Sequence, residues 1–160
     1  MDAADFFNYP TDGDDVVTEV REDPFLGSCS PAEWELIQQH ADVVNFPAGG
    51  TVIAPGGLSR ALLIVLSGSV EVVIVNGRRG RQRLAVLGTG SVLGELAFLD
   101  GKPADASVIA REATTFLRLT IEQFDRLAAA HPKLGLYLLF DVGRVLAGRL
   151  RRLEGPTAVT

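Results

Sequence analysis

The 160-residue sequence predicts a mainly β domain, a small antiparallel sandwich or barrel with helices at both ends. Three observations carry this. Short apolar runs separated by glycine and proline fill the stretch from Val43 to Thr120, a helix-start signal precedes them, and apolar residues at three- and four-residue spacing follow them.

The elements follow in order. Residues 1–23 hold eight acidic residues against one arginine. A lead such as TDGDDVVTEVREDP buries little and its charges repel one another, so it reads as a mobile acidic arm. Such an arm either solvates the chain or docks a basic partner through Phe6, Phe7 and Tyr9. Ser30-Pro31-Ala32-Glu33 is a helix start, with serine as cap, proline at the first helical position and glutamate closing a capping box. The helix runs to about Gln39. VVNF, TVIA, ALLIVLS, SVEVVIV, RLAVL, SVIA and TTFLRLT are the expected strands, and the glycine of Ser67-Gly68-Ser69 lets two of them fold back on one another. A second hairpin begins at Asn76-Gly77 and carries Arg78, Arg79, Arg81 and Arg83, either a patch for an acidic partner or a guard against edge pairing.

Helical period then returns. Thr120 caps a helix containing IEQFDRLAAAH, with Gln123 in the capping-box position. Pro132 breaks it, and a longer helix runs from about Lys133 to Arg152. Its residues Leu138, Val142, Val145, Leu146, Leu150 and Leu153 share one face. Interior glycines cost a helix roughly 1 kcal/mol each relative to alanine, so Gly135, Gly143 and Gly148 predict close backbone approach. A partner helix on Gly143 and Ala147 would make a homodimer; the alternative is that the helix covers its own barrel. The expected organisation is an arm (1–23), one domain (24–152) and a tail (153–160).

Composition narrows the function classes. With 47% hydrophobic and 22% charged residues the chain is an ordinary globular protein. No apolar run approaches the roughly 20 residues that cross a bilayer, and MDAADFF is no signal peptide, so no membrane partner and a cytoplasmic location are expected. A net charge of −5 lacks the basic footprint of nucleic acid binding. Lone Cys29 excludes an internal disulfide and argues against a cysteine metal site. His40 and His131 read as solvated surface residues. Nothing groups serine, histidine and carboxylate for catalysis, so no enzyme is expected.

Residues 94–107, GELAFLDGKPADAS, carry the most specific signal. They resemble the phosphate-binding cassette of the cyclic nucleotide-binding domain family, whose pattern runs G-E-L-A, a short helical stretch, Pro-Arg, one residue, Ala and Ser or Thr. Gly94, Glu95, Leu96 and Ala97 match its first half; Pro103, Ala106 and Ser107 match the second without insertion or deletion. Ala104 stands where the family carries its phosphate-pairing arginine, with Asp105 beside it. The likeness extends over residues 30 to about 152.

The resemblance implies an eight-stranded antiparallel double-stranded β-helix, a jelly-roll barrel, with one helix before it and two after. It implies a ligand site made by Gly94, Glu95, Leu96, Ala97, Ala104, Asp105, Ala106 and Ser107. There Glu95 takes the ribose 2′-hydroxyl, the turn lies at a helix N-terminus, and Ser107 lies near the phosphate. Losing one partner of a buried charge pair costs ~2–5 kcal/mol, roughly 30- to 4,000-fold in affinity. Binding of cyclic AMP or cyclic GMP is therefore expected to be weak unless Lys102 or Arg60 supplies the charge. The sequence leaves three readings open: a cyclic nucleotide sensor with a degenerate phosphate site, a sensor of a different small ligand, and an interaction or dimerisation module in which Glu95 pairs with an arginine such as Arg60.

Overall fold

The computed structural model describes residues 19–76 and 80–154. Residues 1–18 of the expected arm, 155–160 of the expected tail, and Arg78 and Arg79 lie outside the described residues. In chain order the elements are α1 (Pro31–His40), β1 (Asp42–Phe46), β2 (Thr51–Ile53), β3 (Ala61–Ser67), β4 (Ser69–Asn76), β5 (Gly80–Gly88), β6 (Val92–Leu93), α2 (Glu95–Asp100), β7 (Ser107–Ala110), β8 (Thr114–Thr120), α3 (Ile121–Ala130) and α4 (Pro132–Glu154).

Eight strands form two four-stranded sheets, ordered β1-β8-β3-β6 and β2-β7-β4-β5, with every neighbour antiparallel. This is the jelly-roll architecture that was expected, with flanking helices. Both capping boxes form: Ser30 accepts from the Glu33 amide and Thr120 from the Gln123 amide, each answered by the third residue's side chain. Only β6 had no counterpart among the expected strands; two residues paired with Leu63 and Ile64 carry no readable period.

β3 shows why its sequence is an unbroken apolar run. Its Leu62 and Ile64 join Leu117 and Leu119 of β8 in a core with Ile37, Phe124, Leu127, Leu134, Leu138 and Val142 of the helices. Its Leu63 and Val65 face the other way, into the space between the sheets with Val70, Val72, Ala85, Leu87, Val108 and Phe116. A strand covered on both faces has no polar side to show. Each such side chain contributes about 1.5–3 kcal/mol on burial.

The long helix divides its residues differently from the expected stripe. Leu138, Val142 and Val145 are buried in the chain's own core, and Leu146 packs against it. A second face stays open, with Leu136, Phe140 and Leu150 exposed by 58%, 72% and 41%. Close approach explains Gly135, where a Cβ would stand 2.7 Å from Ala128 Cβ on α3, but Gly143 and Gly148 face open space.

The start of the described chain is tightly held. The Val20 amide donates to Val86 of β5 and the Phe25 amide to Gly90. Leu26 adopts a left-handed φ of 58°, and its amide donates to the buried Asp141 carboxylate of α4 at 2.6 Å. Residues 19–23, which the sequence assigned to the arm, therefore run along β5 and reach α4.

Candidate ligand site

A cavity of about 670 Å³ opens between the sheets at the cassette. Strand alternation builds its walls: Val44 and Phe46 of β1, Leu63 of β3, Val72 of β4, Val108 of β7 and Arg118 of β8 all point inward. α2 closes one side. Gly94 caps this helix with a left-handed φ of 78°, and a Cβ there would stand 2.5 Å from the Ala61 carbonyl oxygen. Only glycine fits, which is the physical reason for the first letter of G-E-L-A.

Seven of the eight expected site residues line the cavity: Gly94, Glu95, Leu96, Ala97, Ala104, Asp105 and Ala106. Ser107 is not among the lining residues. It lies one step along β7 between Ala106 and Val108, which do line the cavity, and alternation turns it to the other face. Ala104 is pinned by its backbone: its amide donates to the Gly57 carbonyl at 3.0 Å and its carbonyl accepts from Gly56 at 2.8 Å. That amide is therefore occupied, and the methyl side chain offers nothing to an anion.

Glu95 is buried, and its partner is not Arg60. Arg60 instead closes the far end of α2, donating through Nε and Nη2 to the Phe98 carbonyl at 3.2 and 2.8 Å. Glu95 is held by Arg149 of α4, whose Nη1 donates to its Oε1 at 2.5 Å. Arg149 is 1% exposed. Its Nε and Nη2 donate to the two Glu22 oxygens at 3.0 and 2.9 Å, and Nη2 also donates to the Val92 carbonyl at 2.8 Å. Arg152 adds a bond to Glu22 at 3.1 Å. Two buried carboxylates thus meet two guanidiniums.

The electrostatics follow from this arrangement. Burial alone would raise the Glu22 carboxyl, but its bonds and charge contacts with Arg149 and Arg152 outweigh that and hold it below the usual carboxylate value. Burial pulls Arg149 the other way, yet the charges of Glu95 and Glu22 keep its proton firmly bound. Of the other cavity cations, exposed Lys102 sits at the mouth. Arg118 reaches Asp42 only at 3.7 Å. Its buried Nε meets no acceptor among the described residues.

Two residues that sequence reasoning missed, Arg149 and Arg118, were each signalled by period. Arg149 continues the buried 138-142-145 spacing by four, and Arg118 shares the inward parity of Phe116. Elsewhere, His40 and His131 are half-buried and pack edge-on at 6.2 Å, not freely solvated. No group of three metal-ligating side chains occurs among the described residues. Burial pushes the Cys29 thiol up to about 11, helped by Glu33 and Asp141, so it is a poor nucleophile. No helix among the described residues is long and apolar enough to cross a membrane.

Comparison with known proteins agrees with this geometry. Residues 43–131 match the family model described as the cyclic nucleotide-binding domain. Glutaminase 1 of Bradyrhizobium diazoefficiens is 29% identical over 133 residues, 83% of this chain and 21% of that protein. A cAMP-dependent protein kinase regulatory subunit of Aspergillus niger is 34% identical over 108 residues, 68% of this chain and 26% of its own length. The chain thus spans about a quarter or less of these curated relatives. Among solved structures, the Thermus thermophilus catabolite activator protein superposes with a TM-score of 0.74 at 28% identity, covering 86% of this chain and 62% of that one.

Proposed function

The chain belongs to the cyclic nucleotide-binding domain family, and from that premise we propose that it is a regulatory ligand sensor whose phosphate site has been weakened. One observation carries the reading: the cavity is open, at about 670 Å³, with the Glu95 carboxylate held on its wall by Arg149. That volume is in the range of small-molecule sites, roughly 300–1,000 Å³. Glu95 is an acceptor for a sugar hydroxyl, and the apolar walls suit a base. Ala104 leaves the phosphodiester without a fork-shaped partner; Lys102 and the unmatched Arg118 Nε are the cations that remain. A lysine gives a point charge only.

Calorimetric titration with cyclic AMP and cyclic GMP tests this. The expected native dissociation constant is roughly 100 μM or weaker, from a lost contact of ~2–5 kcal/mol. Ala104→Arg/Asp105→Ala should tighten it by at least about tenfold. Submicromolar native binding overturns the weakened-site reading. No recovery in the variant favours a ligand without a phosphodiester, the reading supported by Asp105 at the mouth.

The output is read at α4. Leu136, Phe140, Gly143, Ala147 and Leu150 form an open seam at alternating four- and three-residue spacing, the pattern of paired helices. A homodimer through this face is the proposal, and Phe140→Asp should convert a sedimenting dimer to monomer without unfolding it. Native sedimentation as a monomer would remove this route and leave docking to another protein. The reading is of a regulatory module, not a catalyst.

A further inference from the structure

We infer that Glu22, outside the cavity and 73 positions before Glu95 in the sequence, is a positioning residue for the ligand site, acting through Arg149. The inference rests on the reading above, that the cavity takes a ribose-bearing cyclic nucleotide.

Glu22 takes two of the Arg149 donors in a side-on fork, at 3.0 Å from Nε and 2.9 Å from Nη2. A bidentate pair fixes the plane of a guanidinium as well as its position. With that plane fixed and Nη2 also on the Val92 carbonyl, Nη1 has one direction left, toward Glu95 at 2.5 Å. Glu95 is thereby held through its Oε1 oxygen. The side chains of Glu22, Arg149 and Glu95 are 8%, 1% and 9% exposed, so water does not substitute for a lost partner. Backbone bonds keep Glu22 in register: Val20 is tied to Val86, and Phe25 to Gly90.

Removing the Glu22 charge weakens the side-on fork that sets the plane of Arg149. The arginine then follows Glu95, and the carboxylate loses its set orientation toward the cavity. By linkage, a ligand that needs Glu95 oriented also favours the Glu22 contact. Neither consequence is visible from the cavity lining, to which Glu22 does not belong.

The test compares cyclic AMP with 2′-deoxy cyclic AMP on the native chain and on Glu22→Gln. If Glu22 acts by orienting Glu95, the variant loses roughly tenfold in affinity for cyclic AMP, within the coupling range of residues in one ion network, and less than about twofold for the deoxy analogue, which offers Glu95 no hydroxyl. An equal loss for both ligands overturns the inference, because a general loosening of the domain does not distinguish them. No loss for either overturns it as well. If the native chain binds neither nucleotide, the sensor reading fails on its own account. The linkage is then decided by unfolding Glu22→Gln, Glu95→Gln and the double variant: a double variant less destabilised than the sum of the singles upholds the Glu22–Glu95 coupling, and additivity ends it.

Discussion

The two halves of the cassette are built in opposite ways. Around Gly94 and Glu95 the backbone is forced by the Ala61 carbonyl and the side chain is locked into a four-charge network, buried except at Arg152, that joins α2, α4 and the segment at Glu22. Around Ala104 the loop is held by backbone bonds to Gly56 and Gly57, and the neighbouring Asp105 is exposed. The first half is coupled to the fold, so it persists for stability whether or not a ligand is present. The Ala104 and Asp105 side chains of the second half belong to no such network. Alanine at position 104 is therefore compatible with an intact domain and a fixed Glu95.

That contrast can be broken by substitution. Arg149→Ala strands two buried carboxylates and should lower the unfolding free energy by about 3–5 kcal/mol, read from the denaturant midpoint. A loss under about 1 kcal/mol would mean the network is not structural. Acid sharpens the same point more gently. Because the folded Glu22 carboxyl lies below its ordinary value of 4.5, its stabilisation is complete above that pH and is lost as pH falls from 4.5 through the folded value. Stability should drop on acidification below about pH 4.5, and Glu22→Gln should flatten that fall; parallel curves for native and variant would contradict it. The smallest effect belongs to the other half. Ala104→Arg should change stability by no more than about 0.5 kcal/mol, as surface substitutions do, while altering ligand affinity.

Much of this was legible in the residues. Strands β3, β7 and β8 coincide with the runs ALLIVLS, SVIA and TTFLRLT because turn residues bound them on both sides. Ser30 and Thr120 announced helix starts, since each signal is local. Glu22 was not legible: within an acidic lead it looks like one more solvated charge, and only the packing of residues 19–25 against β5 and α4 sets it apart. Arg149 hid among Arg151 and Arg152, although four residues beyond Val145 it stands on the buried side of α4. Ser107 was placed by its likeness to a pattern, and strand parity turned it away.

The Glu22–Arg149 pair has a consequence for how the molecule opens. It joins positions 127 residues apart, and contacts so distant in sequence are slow to gather in folding because the chain between them must be closed first. The pair joins the last turns of α4 to the segment from Glu19 to Asp23, so the two should come apart together as one cooperative unit at a free energy below that of global unfolding. Amide exchange at Val20, whose bond to Val86 belongs to that unit, should then keep the rhythm of α4's C-terminal end and not that of β3.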